Sequence, residues 1–467
     1  MLRVVVCGSG IVGLASAYAA AAAGHRVVLV ERDGAELPAD VTAAWRTWHR
    51  PGVPHARQVH SYAVGVVDLL MRLVPGTAPE LRGAGAEWLP WTGPVTFPLA
   101  RHEVLRARRT TLELCLARVV RRSTVEWHRG VRVTSLRVAR GPGGTDRVAG
   151  VATPAGDLDA DLVVDCTGHA SRLQDHPAIG ADKLFRPSGI QYVTTWFTTG
   201  STGDPVLRGV RSDEGHVYCA ATGADHGMVS ATAVLAENDP LFRTVMTRPG
   251  MIALLSSLPA VDDYLRAARA VPTGRPSASR RVGNSRGALL AENAGRIDGL
   301  VAVGDAAVST NPVLARGIVL GLRQVAHLVD ALTGAGSVSE ITAGYLARLR
   351  DGVLPWFEES TRYDRALSAR LARHAGTGRD EPFDPVFEPY DAVAEASRHD
   401  PAVASAAIAY GQTIGEPGDL VRQVSRWLAR RGPSPTSDRA TTTTNRSVVA
   451  AAVRLAAPTN SERGQTS

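Results

Sequence analysis

The first 33 residues constrain the fold more than any other stretch of the sequence. An apolar run from Leu2 to Cys7 predicts a buried parallel strand, and it leads directly into Gly8-Ser9-Gly10-Ile11-Val12-Gly13. The alanine-rich residues 14–23 contain no proline and predict a helix. A second apolar run, residues 26–30, completes a strand-helix-strand unit and ends at Glu31.

Each glycine of this segment suits a separate step in binding a dinucleotide. Gly8 permits a tight turn, Gly10 lets a pyrophosphate approach the backbone, and Gly13 lets helix and strand pack closely. The N-terminus of the helix suits a diphosphate, and Glu31 suits ribose hydroxyls. Since all parts arrive in order within one unit, the pattern indicates a dinucleotide ligand. Glu31 favours a free 2′-hydroxyl, as in FAD or NAD, over a 2′-phosphate, although Arg32 beside it weakens that preference slightly.

Composition limits the remaining classes of function. A chain of 467 residues with 44% hydrophobic and 21% charged residues is typical of a globular protein of two joined domains. The net charge of +7 does not indicate nucleic acid, because Lys183 is the only lysine and the arginines are spread along the chain. We expect no transmembrane segment and no metal site. Four scattered cysteines predict reduced thiols in a cytoplasmic protein.

Two later blocks repeat the pattern of an apolar strand that ends in a polar turn. Residues 158–165 lead into Asp165-Cys166-Thr167-Gly168, and residues 299–303 lead into Gly304-Asp305. Open α/β sheets bind ligands at the carboxyl ends of their strands. A glycine, Gly317, then stands at the entry to an apolar helix that we expect over residues 318–332.

The predicted fold is α/β, with a discontinuous Rossmann-like nucleotide-binding domain, an inserted, mainly antiparallel β substrate domain and a C-terminal helical region. Within the first part, residues 33–60 form a long segment that we expect to be irregular and to cover the cofactor. Residues 125–152 show an alternating pattern of short strands, which predicts a small meander. The expected boundaries are 1–180 for the first part of the nucleotide domain, 181–280 for the substrate domain, 281–350 for completion of the nucleotide domain, 351–431 for the helical region and 432–467 for a disordered tail.

Together the three blocks resemble those of the FAD-dependent monooxygenases of the p-hydroxybenzoate hydroxylase fold, over about residues 1–350. Residues 50–60, Arg-Pro-Gly-Val-Pro-His-Ala-Arg-Gln-Val-His, are similar to the R-x-G-V-P-Q-x-x-H-x-H segment of the bacterial polyketide epoxidase branch. Arg109 matches the arginine of the family's R-x-x-L motif. The resemblance implies that FAD is held by Gly8, Ser9, Gly10, Ile11, Val12, Gly13, Glu31, Arg32, Arg109, Asp165, Thr167, Gly168, Gly304, Asp305, Pro312, Gly317 and Ile318.

The resemblance also implies an activity. It is the transfer of one oxygen atom from O₂, through a flavin C4a-(hydro)peroxide, to a largely apolar natural-product substrate, by epoxidation or hydroxylation in secondary metabolism. Candidates for proton handling or contact with the flavin are His49, His55 and His60.

Some positions depart from the family's pattern. His55 stands where the epoxidases have glutamine, and Ala315-Arg316-Gly317 replaces the common G-x-G. Thr167-Gly168 replaces the Asp-Gly that accompanies nicotinamide use, so both direct reduction by NAD(P)H and a separate flavin reductase stay open. Two other functions also stay open: a flavin-dependent reductase or dehydrogenase of the same fold acting on a lipid or polyketide, and an FAD-binding protein without turnover.

Overall fold

The computed structural model describes residues 1–431 except 94, 98, 100, 142–143, 201–207, 214–216, 335 and 378–384. The predicted tail, residues 432–467, lies outside the described residues. The chain divides into two compact units. The first unit consists of Met1–Pro187, Gly283–Thr361 and Ile408–Gly418, and the second of Ser188–Val282, Arg362–Ala407 and the chain from Asp419.

The described residues form α-helices over the segments predicted at residues 14–23 and 318–332 and at further places. In chain order they are α1 (Ile11–Ala22), α2 (Val41–Thr47), α3 (Val64–Leu73), α4 (Thr77–Gly83), α5 (Arg109–Arg121), α6 (Leu241–Val245), α7 (Arg248–Ser256), α8 (Pro259–Ala267), α9 (Gly317–Thr333), α10 (Val338–Gly352), α11 (Leu354–Ala375), α12 (Glu388–His399), α13 (Pro401–Gly411) and α14 (Asp419–Arg431).

The described strands fall into several sheets. In chain order they are β1 (Arg3–Cys7), β2 (Arg26–Glu31), β3 (Glu87–Pro90), β4 (Glu103–Arg106), β5 (Glu126–Arg129), β6 (Ser135–Arg140), β7 (Asp146–Ala152), β8 (Leu158–Asp159), β9 (Leu162–Asp165), β10 (Leu184–Pro187), β11 (Ile190–Thr198), β12 (Val210–Asp213), β13 (Tyr218–Ala224), β14 (Met228–Ala236), β15 (Val271–Ser279), β16 (Gly283–Arg286), β17 (Ile297–Asp298), β18 (Leu300–Ala302) and β19 (Val308–Ser309).

A parallel five-stranded sheet forms the centre of the first unit, in the order β18-β9-β1-β2-β5. The predicted Rossmann-like α/β fold is therefore confirmed. Cys7 pairs with Val30 on one side and with Asp165 on the other, and Asp165 also pairs with Ala302. The carboxyl ends of four strands thus meet at one edge of the sheet. Each of the three sequence blocks begins at that edge.

The edge strand β5 corrects one prediction. We expected residues 125–152 to form a small meander, but Glu126–Arg129 joins the parallel sheet beside β2, with Val28 opposite Glu126. Within that stretch β6 and β7 pair with each other as an antiparallel hairpin, and β7 also pairs with β8 in the antiparallel direction. The sequence Glu-Trp-His-Arg of β5 lacks the apolar run of an inner strand, because a strand at the edge of a sheet has a neighbour on one side only.

Helix α1 packs on the sheet through small side chains. Ala15 and Ala17 are fully buried, beside the larger Leu14. A Cβ atom added at Gly321 of α9 would lie 2.5 Å from a methyl carbon of Val12, so the glycine allows α9 to approach α1 closely. The two helices that begin beside the glycine-rich turns are therefore held against each other.

Residues 33–60, which we call the covering segment, are more regular than predicted. They contain α2, whose N-terminus is capped by Asp40, since its carboxylate accepts a 2.8 Å hydrogen bond from the amide of Ala43. The prediction of an irregular segment was wrong at these seven residues. The cap and the two alanines of α2 favour a helix here, in spite of the prolines and glycines on both sides.

The second unit contains the antiparallel sheet predicted for the insertion. Its strands follow the order β12-β13-β14-β11-β15, and the longest pair extends from Ile190 opposite Ala236 to Thr198 opposite Met228. One core cluster combines side chains of this sheet with those of α6, α7 and α8.

Three further expectations concern membrane spans, cysteines and metal sites. None of the helices in the described part of the chain is long and apolar enough to cross a bilayer. The four cysteines are free thiols, of which Cys7, Cys115 and Cys219 are buried and Cys166 is half-buried. Among the described residues, no group of three or more His, Cys, Asp or Glu side chains could hold a metal ion.

Candidate functional site

The glycine-rich turn after β1 is closed by close backbone contacts on two sides and open on the third. Gly8 has a φ of 101°, and a Cβ there would lie 2.6 Å from the carbonyl oxygen of Cys166. A Cβ at Gly13 would lie 1.9 Å from the carbonyl oxygen of Gly8. At Gly10 a Cβ would meet no atom within 4 Å. Gly10 is also the N-cap of α1 and provides no side-chain cap, as expected of a helix N-terminus that holds an anion.

Glu31 is fixed at the end of β2. Its carboxylate accepts hydrogen bonds from the amide and hydroxyl of Ser9, at 2.9 and 2.7 Å, and from the amide of Asp33 at 2.9 Å. Burial raises the pKa of Glu31, but these hydrogen bonds and the charge of Arg50 outweigh burial and lower the pKa below its usual value. Glu31 is therefore an oriented anion beside the glycine turn.

Arg50 brings the covering segment into contact with both the turn and α5. Its guanidinium is 5% exposed and lies 2.8 Å from a carboxylate oxygen of Glu113, with longer ion pairs of 3.7 Å to Glu31 and 3.5 Å to Asp33. It also donates a 3.3 Å hydrogen bond to the carbonyl of Ser9. A buried cation surrounded by three carboxylates holds the segment in one position.

Arg109 lies at the start of α5 and faces the two histidines of the covering segment. Its Nε is 3.3 Å from Glu113, while Nη1 is 3.4 Å from Nε2 of His55 and 3.3 Å from Nε2 of His60. Nδ1 of His60 lies 3.0 Å from the carbonyl of Gln58 and must donate to it. The Nε2 atom of His60 is therefore the acceptor for Arg109.

Both imidazoles are neutral near pH 7. Desolvation, followed by the charge of Arg109, lowers the pKa of His55 and that of His60. Part of the His55 residue is exposed to solvent. The third predicted histidine, His49, is exposed, and no hydrogen bond joins it to the other two within the described residues.

Asp165, at the end of β9, orders its own loop. Its buried carboxylate accepts hydrogen bonds from the amide and hydroxyl of Thr167, the hydroxyl of Ser171 and the amide group of Gln174. Gln174 also donates to the carbonyl of Ala306 at 2.7 Å. This carboxylate thus ties the second sequence block to the third. A Cβ at Gly168 would meet no atom within 4 Å, so the tip of the loop is open.

The third block places an acid and a helix N-terminus together. Desolvation raises the pKa of Asp305, although the charges of Arg109 and His169 and a hydrogen bond to Ser309 act in the opposite direction. Gly304, with a φ of 69°, donates its amide to Gln324 of α9 at 2.7 Å. Helix α9 begins at Gly317 without a side-chain cap, and a Cβ at Gly317 would meet no atom within 4 Å.

The structure therefore brings most of the predicted site residues to the carboxyl edge of the parallel sheet. Arg32 and Pro312 are exposed, Arg32 beside Gly52 and Pro312 in the turn before α9. Sequence reasoning did not identify the parts played by Arg50, Glu113, His169 and Gln174. Glu113 carries a signal that could have been used, since it lies four residues after Arg109 on the same helix.

These residues fit FAD. The two openings at Gly10 and Gly317 lie at helix N-termini without side-chain caps. The free amides at such N-termini suit a diphosphate at Gly10 and the electron-rich edge of a ring at Gly317. The carboxylate of Glu31 stands beside the first opening, where it would accept hydrogen bonds from ribose hydroxyls. Gly8, Gly10, Gly13, Glu31, Arg109, Asp305 and Gly317 are the residues that would hold the cofactor.

Comparisons with known proteins agree with this fit. Residues 3–174 match the model of the family described as FAD dependent oxidoreductase. A comparison of the sequence with curated proteins finds no match.

Many solved structures are similar. A probable FAD-dependent monooxygenase from Pseudomonas aeruginosa, PqsL, has a TM-score of 0.61 and 18% identity, covering 80% of this chain and 99% of its own. The anhydrotetracycline hydroxylase OxyS from Streptomyces rimosus has a TM-score of 0.58 and 17% identity, covering 88% of this chain and 76% of its own. The Diels-Alderase PyrE3 of pyrroindomycin biosynthesis has a TM-score of 0.59 and 19% identity, covering 88% of this chain and 80% of its own.

The family match covers the glycine turn, Glu31, Arg109 and Asp165, and the structural likeness extends over the fold that carries them. Residues 3–174 are therefore similar to the FAD dependent oxidoreductases, and the chain has the fold of the FAD-dependent monooxygenases.

Proposed function

We propose that this protein is a monooxygenase that transfers one oxygen atom from O₂ to a largely apolar small molecule by epoxidation or hydroxylation. One observation carries the proposal. The carboxyl edge of a single sheet combines an open glycine turn, an oriented Glu31 and the uncapped N-terminus of α9. When bound there, FAD supplies the electrons that activate O₂, so the protein needs few acid-base groups of its own.

The residues of the chain would bind and orient rather than exchange protons. Arg109 is held between Glu113 and two neutral imidazoles, so its charge has a fixed direction. The backbone amides at the start of α9 would stabilise negative charge without reorganisation. Arg50 would hold the covering segment over the site and thereby exclude water.

The substrate and the electron donor are finer parts of the same proposal. PqsL has been crystallised with 2-aminobenzoylacetate, a small molecule, and OxyS is named as a hydroxylase of anhydrotetracycline. By analogy we propose a natural product of secondary metabolism as the substrate here. We propose NADH or NADPH as the electron source, acting directly or through a separate flavin reductase.

The first experiment concerns the cofactor and its reduction. We expect the purified protein to carry about one FAD per chain and to show the flavin absorption band in the visible range. NADH, NADPH and dithionite are added separately without oxygen, and bleaching of the band is followed. Bleaching by dithionite alone supports a separate reductase, whereas bleaching by a nicotinamide supports direct reduction. A colourless protein that binds no added FAD contradicts the assignment.

The second experiment concerns the reaction. The FAD-loaded, reduced protein is mixed with a panel of apolar polyketides under ¹⁸O₂, and the products are analysed by mass spectrometry. We expect one ¹⁸O atom in each product molecule. Product that forms equally well without oxygen would instead assign a reductase or dehydrogenase. Protein that binds FAD but converts no compound of the panel, and reoxidises no faster than free flavin, would favour a binding protein without turnover.

A further inference from the structure

A guanidinium group is buried at the N-terminus of α9, where the sequence departs from the common G-x-G. Arg316, the residue before Gly317, is 1% exposed. Its charged group lies between two aromatic rings, 4.7 Å from the centre of Trp356 and 4.1 Å from the centre of Tyr410. Such stacking stabilises a desolvated cation in part.

The charge of this guanidinium is not balanced by an acid. Nη1 donates a 3.0 Å hydrogen bond to the hydroxyl of Ser360, and Nη2 a 3.2 Å hydrogen bond to the carbonyl of Tyr410. Nε is buried without an acceptor. No carboxylate of the described residues lies within 4.0 Å of the group, in contrast to Arg50, which has three carboxylates around it. An unbalanced buried cation is unfavourable unless an anion lies near.

The position of Arg316 on the helix makes its charge more unusual. It is the N-cap of α9, and no side chain caps the first turn. The partial positive charge of a helix N-terminus and the guanidinium therefore repel each other. Ala315, just before it, has a φ of 53°, a left-handed conformation that alanine rarely adopts. At this helix end a strained turn stands beside a buried cation that the helix N-terminus repels. Such an arrangement is expected where an anion binds.

We propose that Arg316 stabilises the negative charge of the reduced flavin ring at the N-terminus of α9. This inference rests on the proposed function, which places that ring against Gly317. Arg316 acts through space and through the first turn of α9, so it is a positioning residue rather than one that touches the cofactor. Taking up two electrons and one proton converts oxidised FAD into its anionic reduced form, and the buried cation favours this product over the neutral oxidised ring.

Helix α9 provides a matched control in Arg323. This residue is half-buried, and its guanidinium donates a hydrogen bond to the carbonyl of Thr413, in the same short stretch of chain as Tyr410. Seven residues separate the two arginines, which is about 10 Å along a helix. Arg323→Gln thus removes an arginine contact to the same stretch of chain without removing charge from the N-terminus.

The test is the midpoint potential of bound FAD, measured by reduction with xanthine and xanthine oxidase beside a reference dye. Arg316→Gln should weaken the binding of reduced FAD relative to oxidised FAD by about tenfold, which lowers a two-electron potential by about 30 mV. Arg316→Lys, which keeps the charge, should retain most of the wild-type potential, and Arg323→Gln should leave it unchanged. Equal shifts in the two glutamine variants, or no shift in Arg316→Gln, would overturn the inference.

A measurement on the wild-type protein keeps the inference testable if Arg316→Gln does not fold. The absorption spectrum of the reduced protein is titrated with acid, and the bound ring should stay anionic at pH values where free reduced FAD takes up a proton. Protonation at the same pH as free reduced FAD would overturn the inference while leaving FAD binding intact. A preparation that binds no FAD would overturn the inference and the proposed function together.

Discussion

One guanidinium orders the two histidines of the covering segment. Arg109 donates to Nε2 of His60, whose Nδ1 proton is held by the carbonyl of Gln58, and the same nitrogen of Arg109 reaches Nε2 of His55. An imidazole that accepts from arginine is kept neutral. We therefore propose that His55 and His60 orient Arg109, a different role from the proton handling suggested by the sequence.

This geometry predicts a pH dependence that belongs to His60. The pKa of His60 is lowered in the folded protein, whereas an unfolded histidine takes up a proton below about pH 6.5. Its contribution to stability is thus complete above pH 6.5 and is lost as the pH falls. Between pH 7 and pH 5 the wild-type protein should lose about 1 kcal/mol more stability than His60→Gln in urea unfolding. The exposed His49→Gln should follow the wild type, and identical profiles for all three proteins would contradict the prediction.

A second prediction at this scale concerns the glycine turn. Gly10→Glu should abolish FAD binding because it places bulk and negative charge in the opening that the diphosphate would fill, while the fold should persist since a Cβ there meets no atom within 4 Å. FAD content and circular dichroism are the measurements. Gly344→Glu, at an exposed position of α10, is the control and should bind FAD normally. A fully flavinated Gly10→Glu protein would refute the site.

At the scale of elements, the covering segment is attached to the nucleotide-binding sheet by charge. Arg50 is the link, because it is buried among Glu31, Asp33 and Glu113, which lie on β2, just after it and on α5. Removing one partner of a buried ion pair leaves the remaining charges desolvated and unbalanced. The segment is therefore held by this side chain together with the apolar packing of Val41, Ala44 and Trp48 against Leu114 of α5.

The corresponding prediction is that Arg50→Met destabilises the protein by about 3–5 kcal/mol in denaturant unfolding and also weakens FAD binding. Arg46→Met, at an exposed position of α2, should change either quantity little. The double variant Arg50→Met/Glu113→Gln should lose less unfolding free energy than the sum of the losses in the two single variants, because it removes one unbalanced carboxylate. Strict additivity would show that Arg50 and Glu113 do not interact.

At the scale of the whole molecule, the residues proposed for FAD all lie in the first unit. The second unit has its own core, which includes Leu254 with no exposed surface. Leu254→Ala should therefore destabilise the second unit by about 2–5 kcal/mol. The dissociation constant for FAD, measured under native conditions by quenching of flavin fluorescence, should stay within about twofold of the wild-type value. A tenfold weaker affinity would show that FAD binding depends on the second unit.

The glycine turn, the strands that enter it and the helix that leaves it are predictable from the sequence alone. A turn that needs Gly8 at positive φ, an apolar run and an alanine-rich helix are local requirements, so each leaves a local pattern. Only the tertiary structure decided which distant charges meet. Arg50 meets Glu113, Gln174 reaches Ala306, and Arg316 stacks on Trp356 and Tyr410. These contacts join residues 40 to 132 positions apart in the sequence. Desolvation and the packing of separate elements create these contacts, and a local sequence pattern predicts neither of them.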